Sequence, residues 1–406
     1  MVHTSLTEDE ITLISPEKGE PASAEALSKW CCANRELLSG LVYAKGGVLL
    51  RGWELHSVKQ AESLVFNAIG MSQMRPYPQA FLDFSLRAKK LGVPAGGITQ
   101  EKLSRDVPAA QEGIMQTPHQ EFGIGVFRPR FVSFFVKVAP PRGTGPTARV
   151  YLPDAVQRLS PELRDLLRTH GWWVEQAGVI QPSLLIHPES GAECLQLWCF
   201  SRTLAPIAYE AYLQVRASER PDLPFVESIP YDGRPNFPIT LVSADGRSKF
   251  TLPREQALEL FRAVFSTMSL LYWEAGDLFI FDNMLYGHMR MPGPPPRSLH
   301  ALFGDEVDTR AYAAADAPAC VLAAARLKAK GSIELLLEQS GARMWLLRLL
   351  LWIPDWLFIW LGRHLWVNAG GYSPQKQSDS HRDCESLSKF IHQQLVPSNC
   401  QGSISE

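Results

Sequence analysis

The sequence predicts a mainly β fold with helices packed around it, and three stretches carry that expectation. GGVLLRGW at 46–53 is a short apolar run bounded by glycines, which reads as a buried strand. RFVSFFVKVAPP at 130–141 puts Val132, Phe134, Val136 and Val138 on one face of a second strand, which Pro140 and Pro141 end. From Leu271, LYWEAGDLFIFDNMLYGHMRMPGPPPRSLHALFGD alternates strand-like runs with turn residues.

The remaining elements follow in chain order. Residues 1–40 open with acidic and polar clusters (TEDE, PEKGEP) and are expected to form a loose leader. SVKQAESLVFNAIG at 57–70 reads as a helix. Ser57 and Gln60 make a capping box, and Val58, Ala61, Leu64, Val65, Ala68 and Ile69 recur at helical spacing. TLPREQALELFRAVFSTM at 251–268 is amphipathic, with Leu258, Phe261, Phe265 and Met268 on one side and Pro253 in the tolerated first turn. Near 307 the composition turns alanine-rich, then Trp/Leu-rich at 344–361, then polar. The expected division is therefore a leader at 1–40, a main domain at 41–306 and a helical extension at 307–406.

Composition narrows the class. At 46% hydrophobic and 10% aromatic, a chain of 406 residues buries a sizeable core, which argues against wholesale disorder. A net charge of −2 without a Lys/Arg-rich block offers nucleic acid no basic surface. Seven cysteines, an odd number with no CxxC pair, point to a reducing compartment and no structural zinc; Cys31 and Cys32 are expected to be two buried small residues. MVHTSLTEDEITL lacks the features of a secretory signal, so the expected location is cytoplasmic.

Chemistry enters at TPHQEFG, 117–123. On an extended segment His119 and Glu121, two residues apart, project to one side and can share an ion. Random placement of 10 His among 42 acids gives roughly one His-x-acid triplet, and the chain holds three. HPESG at 187–191 has turn chemistry and HRD at 381–383 lies in the polar tail, so His187/Glu189 and His381/Asp383 are set aside. A third ligand for His119 and Glu121 is found in His288, just past the strand DLFIF and the Asp282-Asn283 turn. Two histidines and a carboxylate on one face of Fe(II) leave three adjacent positions, enough for a chelating 2-oxo acid and O₂. Arg297, a few residues on, is of the type that clamps a carboxylate.

In this order, GGVLLRGW, PHQEFG with FVSFFVKVAPPRGTGPT, and WEAGDLFIFDNMLYGHMRMPGPPPR span about 46 to 303. The set resembles the TauD/TfdA family of Fe(II)/2-oxoglutarate-dependent dioxygenases, most closely its clavaminate-synthase-like branch, where Glu serves as the acidic ligand. The resemblance implies a double-stranded β-helix (jelly-roll) core, with His119, Glu121 and His288 as iron ligands. It also implies Arg297 on the distal carboxylate of 2-oxoglutarate, assisted by Thr147. The chain reads GTGPT where the family commonly reads GGETP, which bears on Thr147, and Arg290 is the competing clamp. The implied activity is hydroxylation or another oxidation of a small organic substrate, with O₂ consumed and succinate and CO₂ released. The alternative is a catalytically silent sensor of metal and 2-oxoglutarate, or a membrane-associated scaffold on the same fold. The functional version of Asp282-Asn283 is a bond to the His288 imidazole.

MWLLRLLLWIPDWLFIWL at 344–361 is interrupted by Arg348, Pro354 and Asp355, too often for a membrane-spanning helix. One reading is peripheral membrane contact through 344–366, with tryptophans at headgroup level. The other is a helix pair, broken at Pro354, packed on the core or on a second subunit.

Overall fold

A computed structural model describes residues 2–7, 10–74, 87, 104–107, 113–121, 127–174, 179–197, 205–228, 239–243, 248–314, 352–358 and 360. The chain forms two compact units. The first comprises Met1–Met74, Leu103–Trp173 and Ile180–Leu327; the second comprises Arg75–Lys102, Val174–Val179 and Lys328–Glu406.

In chain order the strands begin with β1 (Val2–Leu6), β2 (Thr12–Pro16), β3 (Val48–Leu50), β4 (Ser104–Val107), β5 (Phe127–Val138) and β6 (Thr147–Tyr151). Six short strands follow: β7 (Gly171–Val174), β8 (Val179–Pro182), β9 (Leu184–Ile186), β10 (Glu193–Leu195), β11 (Thr240–Val242) and β12 (Lys249–Thr251). The last four are β13 (Met268–Leu271), β14 (Leu278–Asp282), β15 (Tyr286–Arg290) and β16 (Ser298–Asp308).

A seven-stranded sheet runs β1-β2-β3-β14-β5-β16-β4, antiparallel except between β2 and β3, and a three-stranded antiparallel sheet runs β13-β6-β15. The chain alternates between them: β5 in the large sheet leads to β6 in the small one, and β13, β14, β15 and β16 change sheet at every step. This is the mainly β, jelly-roll architecture expected.

Both faces of the large sheet are covered, which explains its runs of consecutive apolar residues. Phe134, Phe279 and Phe281 face the small sheet, with Phe281 and Phe134 in ring contact with His288 of β15 at 5.6 and 5.2 Å. Phe131, Phe135, Leu278, Ile280 and Leu302 pack the other way, against Leu27, Leu38, Leu64 and Ile69 of the N-terminal helices. The four-residue alternation read in 130–141 is thus half of the pattern, and Val138 at its end is exposed.

Two expectations are corrected. The supposed leader is built into the fold: β1 and β2 join the large sheet, and the helix Ala24–Ala33 buries Leu27 and Cys31. Its apolar Ile11, Ile14 and Leu27 are spaced too widely to show a period among the acids. Cys31 is buried as expected, but Cys32 is exposed. Ser57 caps the helix as expected, its Oγ accepting from Gln60 N–H at 3.3 Å, while the return bond of the box is displaced by one residue, Gln60 Oε1 accepting from His56 N–H at 2.9 Å. The helix it starts runs Val58–Glu62 and passes into a π-helix, Ser63–Ile69. The helix at 251–268 spans Arg254–Ser266 with Leu258, Phe261 and Phe265 buried.

In the second unit, Arg87 pairs with Asp355 (Nη2 to Oδ1, 2.6 Å) and lies over the Phe358 ring at 4.6 Å. The helix there is interrupted at Ile353-Pro354, while Trp352, Trp356 and Trp360 are exposed. Among the described residues no helix is long and apolar enough to cross a membrane. The alanine-rich run, the polar tail and most of 344–366 lie outside the described residues.

Burial, and secondarily Cys32, push the Cys31 thiol up to about 12. At pH 8 roughly one molecule in ten thousand then carries the thiolate that alkylation requires. Iodoacetamide at pH 8 should therefore modify Cys32 and spare Cys31 until the chain is unfolded, as read by peptide mass mapping.

Candidate metal centre and carboxylate site

The segment 116–121 docks along the edge of β15 that β6 leaves open. His119 N–H donates to the His288 carbonyl at 3.0 Å, His288 N–H donates back at 2.8 Å, and Gln116 N–H reaches the Arg290 carbonyl at 2.9 Å. Two residues that exchange both backbone bonds face each other with side chains on the same side. The imidazoles accordingly lie 4.4 Å apart, centroid to centroid. Glu121 follows on the same side, its Oε1 3.6 Å from His288 Nε2. All three residues are at least nine-tenths buried, and one donor atom from each lies within 4.8 Å of the others. A first-row ion held about 2 Å from each donor needs them no more than roughly 4 Å apart, so small side-chain adjustments suffice.

The tautomer of His119 follows from its neighbour. His119 Nδ1 lies 2.8 Å from the Thr117 carbonyl, which can only accept, so Nδ1 carries the hydrogen and Nε2 keeps its lone pair.

Asn283 holds the carboxylate-bearing segment. Its Oδ1 accepts from Glu121 N–H at 3.0 Å, and its Nδ2 donates to the Glu121 and Pro129 carbonyls, each at 3.0 Å. Gln120 points to the opposite side. It donates to the Asn283 carbonyl at 2.6 Å and accepts from Leu197 N–H at 2.8 Å and Arg128 Nη1 at 3.3 Å. Asp282-Asn283 leads into a turn at 283–285, as first read; the functional alternative, a bond to the His288 imidazole, does not form, since Asn283 takes the Glu121 peptide and His288 Nδ1 has no hydrogen-bond partner. Sequence reading missed Gln120 and Asn283 as positioning groups. The available signal was an amide-bearing residue in the turn that leads back to His288.

Asp282 belongs to a second cluster. Asp282, His187 and Glu189 also bring three donor atoms within 4.8 Å, so the HPE turn set aside above belongs to a constellation in which His187 and Asp282 are buried and Glu189 is exposed. Residues 188–190 do form the expected turn, but His187 is buried. Arg130 already occupies this cluster, donating through Nε to Asp282 Oδ2 at 2.7 Å and through Nη2 to Glu189. Burial opposes the Arg130 charge, but Asp282 and Glu189 more than offset it and hold its pKa above the usual range. His187 Nδ1 lies 2.9 Å from Ser190 Oγ and 3.2 Å from Ser190 N, and its Nε2 lies 3.0 Å from Asp282 Oδ2 and 3.1 Å from Arg130 Nη2. Arg130 supplies from within the chain the positive charge that a metal would bring. This cluster is an ion-pair network.

Arg297 and Thr147 meet on the same interior side as His288. Thr147 lies two residues along β6 from Arg149, the ladder partner of His288, a displacement of about 7 Å. The turn at 143–146 packs on the loop before β16 through two glycines. A Cβ at Gly293 would come within 2.4 Å of the Gly145 Cα, so only glycine permits this approach. The contact delivers Arg297 Nη2 to Thr147 Oγ1 at 3.0 Å. Arg297 is 5% exposed, and its Nε and Nη1 have no hydrogen-bond partner. Burial, with a smaller contribution from the nearby Arg290 cation, pushes its pKa down to about 9. Such a guanidinium is short of an anion. Arg290 is less deeply buried than Arg297.

No protein-family model and no curated protein matches the chain. Among solved structures it is similar to PvcB, an Fe, alpha-ketoglutarate dependent oxygenase from an isonitrile synthetic pathway, at 17% identity and TM-score 0.46 over 74% of this chain and 91% of that one. It is also similar to a putative alpha-ketoglutarate-dependent taurine dioxygenase from Burkholderia xenovorans, at 17% identity and TM-score 0.42 over 75% and 93%. A third similar structure is AAD-2 in complex with Mn(II) and N-oxalylglycine, at 10% identity and TM-score 0.41 over 76% and 99%.

Asn283→Ala strips partners from the Glu121 N–H and from two buried carbonyls. It should lower unfolding stability by about 2–4 kcal/mol. Urea unfolding followed by fluorescence measures the loss.

Proposed function

We propose that the chain is an Fe(II)- and 2-oxoglutarate-dependent dioxygenase that hydroxylates or otherwise oxidises a small organic substrate. One observation carries the reading: a buried, partner-seeking Arg297 stands beside Thr147, about two strand residues from three convergent metal-type donors. A five-carbon dicarboxylate has the reach to engage both ends. The donor set of two imidazoles and one carboxylate suits Fe(II) and leaves adjacent positions open. Glu as the acidic ligand is what the clavaminate-synthase-like branch would have.

In this reading His119 Nε2, Glu121 and His288 Nε2 hold the metal, and the Thr117 carbonyl keeps the His119 lone pair aimed inward. Arg297 and Thr147 hold the distal carboxylate, which orients the 2-oxo acid end toward the histidines. Phe134 and Phe281, edge-on to His288, exclude water from one side of the centre. The chemistry that iron supplies when bound there is the coupled conversion of 2-oxoglutarate and O₂ to succinate and CO₂, with oxidation of the substrate.

Arg297→Lys keeps the charge and loses the planar fork, so 2-oxoglutarate affinity should fall by about 1–3 kcal/mol. Arg290→Lys should change it far less. Titration calorimetry on the metal-loaded proteins ranks the two, and the reverse order would make Arg290 the clamp.

Glu121→Ala should weaken Fe(II) binding and stop succinate formation. Glu189, which pairs with Arg130, and Asp383, in the polar tail, share the triplet outside the proposed centre, so Glu189→Ala and Asp383→Ala should both retain wild-type iron content and turnover. Equal iron and equal succinate in all three proteins would sink the metal assignment.

A further inference from the structure

We infer that Trp273 is a positioning residue for the carboxylate site: its indole N–H fixes the Thr147 hydroxyl as a hydrogen-bond donor to the ligand. The inference rests on the reading of Arg297 and Thr147 given above. Trp273 Nε1 donates to Thr147 Oγ1 at 3.0 Å, and Arg297 Nη2 donates to the same oxygen at 3.0 Å. A hydroxyl has two lone pairs and one hydrogen. Both lone pairs are engaged, so the hydrogen is left with the one remaining staggered direction and must be given away. Thr147 is 3% exposed, and water has little access to that hydrogen. An anion beside Arg297 would then meet the unpartnered Nε and Nη1 groups of the guanidinium together with an O–H already turned toward it. Without the indole, one lone pair is released and the hydroxyl rotor regains a competing orientation.

Trp273 is itself held firmly enough to act this way. It opens the 273–277 turn, where Asp277 accepts from Glu274 N–H at 2.8 Å and Gly276 N–H reaches the Val136 carbonyl at 3.0 Å. Arg51 grips Asp277 through Nε at 2.9 Å and Nη2 at 2.6 Å. The indole stands edge-on to Phe134 at 6.3 Å.

The test compares two ligands on Zn(II)-loaded protein by calorimetry: 2-oxoglutarate, and 2-oxopentanoate, which has the same chain length without the distal carboxylate. Trp273→Phe should weaken 2-oxoglutarate binding about tenfold, the worth of one hydrogen bond to a charged group, and leave 2-oxopentanoate unchanged. Thr147→Val should do the same, and adding Trp273→Phe to it should cost nothing more, because the two act through one hydroxyl. If Trp273→Phe proves unstable by its melting temperature, 3-benzothienylalanine at 273 keeps the bicyclic ring and removes only the N–H. Equal loss for both ligands, or additive losses in the double variant, would make Trp273 a packing residue and overturn the inference. No loss for either ligand overturns it too. A wild-type protein that binds the two ligands equally would instead overturn the carboxylate site itself, and the inference with it.

Discussion

The arrangement depends first on two backbone hydrogen bonds, those exchanged between His119 and His288. They bring together residues separated by most of the first unit and fix which way each side chain points. Because side chains alternate along extended backbone, a slip of one residue would turn an imidazole to the opposite side. With the register set, His119 and Glu121 face His288, and Gln120 between them faces away. Gln120 then ties the back of the segment to the Asn283 carbonyl and Leu197 N–H, while the Asn283 side chain ties the Glu121 peptide. The segment that carries His119 and Glu121 is thus held in part through peptides and amides.

The two acidic–histidine clusters show how little a residue list decides. Each has two or more buried members with donor atoms inside the same span. One contains Arg130, which supplies the positive charge from within the chain and bonds both Asp282 and Glu189. In the other, the hydrogen of His119 is drawn to a carbonyl behind the ring and the lone pair points inward. The first cluster carries its own cation, whereas on the proposed reading the second would take a metal ion. A residue list carries no direct record of that difference.

Much of the architecture was legible because it rests on local rules. Gly-bounded GGVLLRGW, Pro-terminated RFVSFFVKVAPP and the box at Ser57 each became the element their chemistry dictates. His119, Glu121 and His288 were legible as a set through spacing and order, and Arg297 through its place before the last long strand. Features made by tertiary contact were not. β1 and β2 are short and mixed in polarity, and only pairing with each other and, for β2, with β3 makes them strands. The His187 turn looked like surface because Pro188, Glu189 and Ser190 are exposed, while the residue before them is buried by partners from β5 and β14. Trp273 gave no sign of its role, since an indole in an apolar run reads as core.

The loop GTGPT and the run MPGPPPR also read as ordinary turns, yet their glycines and prolines have a joint consequence. Gly145 and Gly293 meet so closely that neither strand end can move without the other, and Arg297 at the end of the proline run is carried onto Thr147. Burying a guanidinium there, with Nε and Nη1 unsatisfied, costs the protein stability in its free state. On the proposed reading a bound carboxylate would reverse the sign, since the same donors would then gain charge-assisted bonds in a site shielded from water. The cost of burying the guanidinium and an affinity for an anion would then be one property, expressed in the absence and in the presence of ligand.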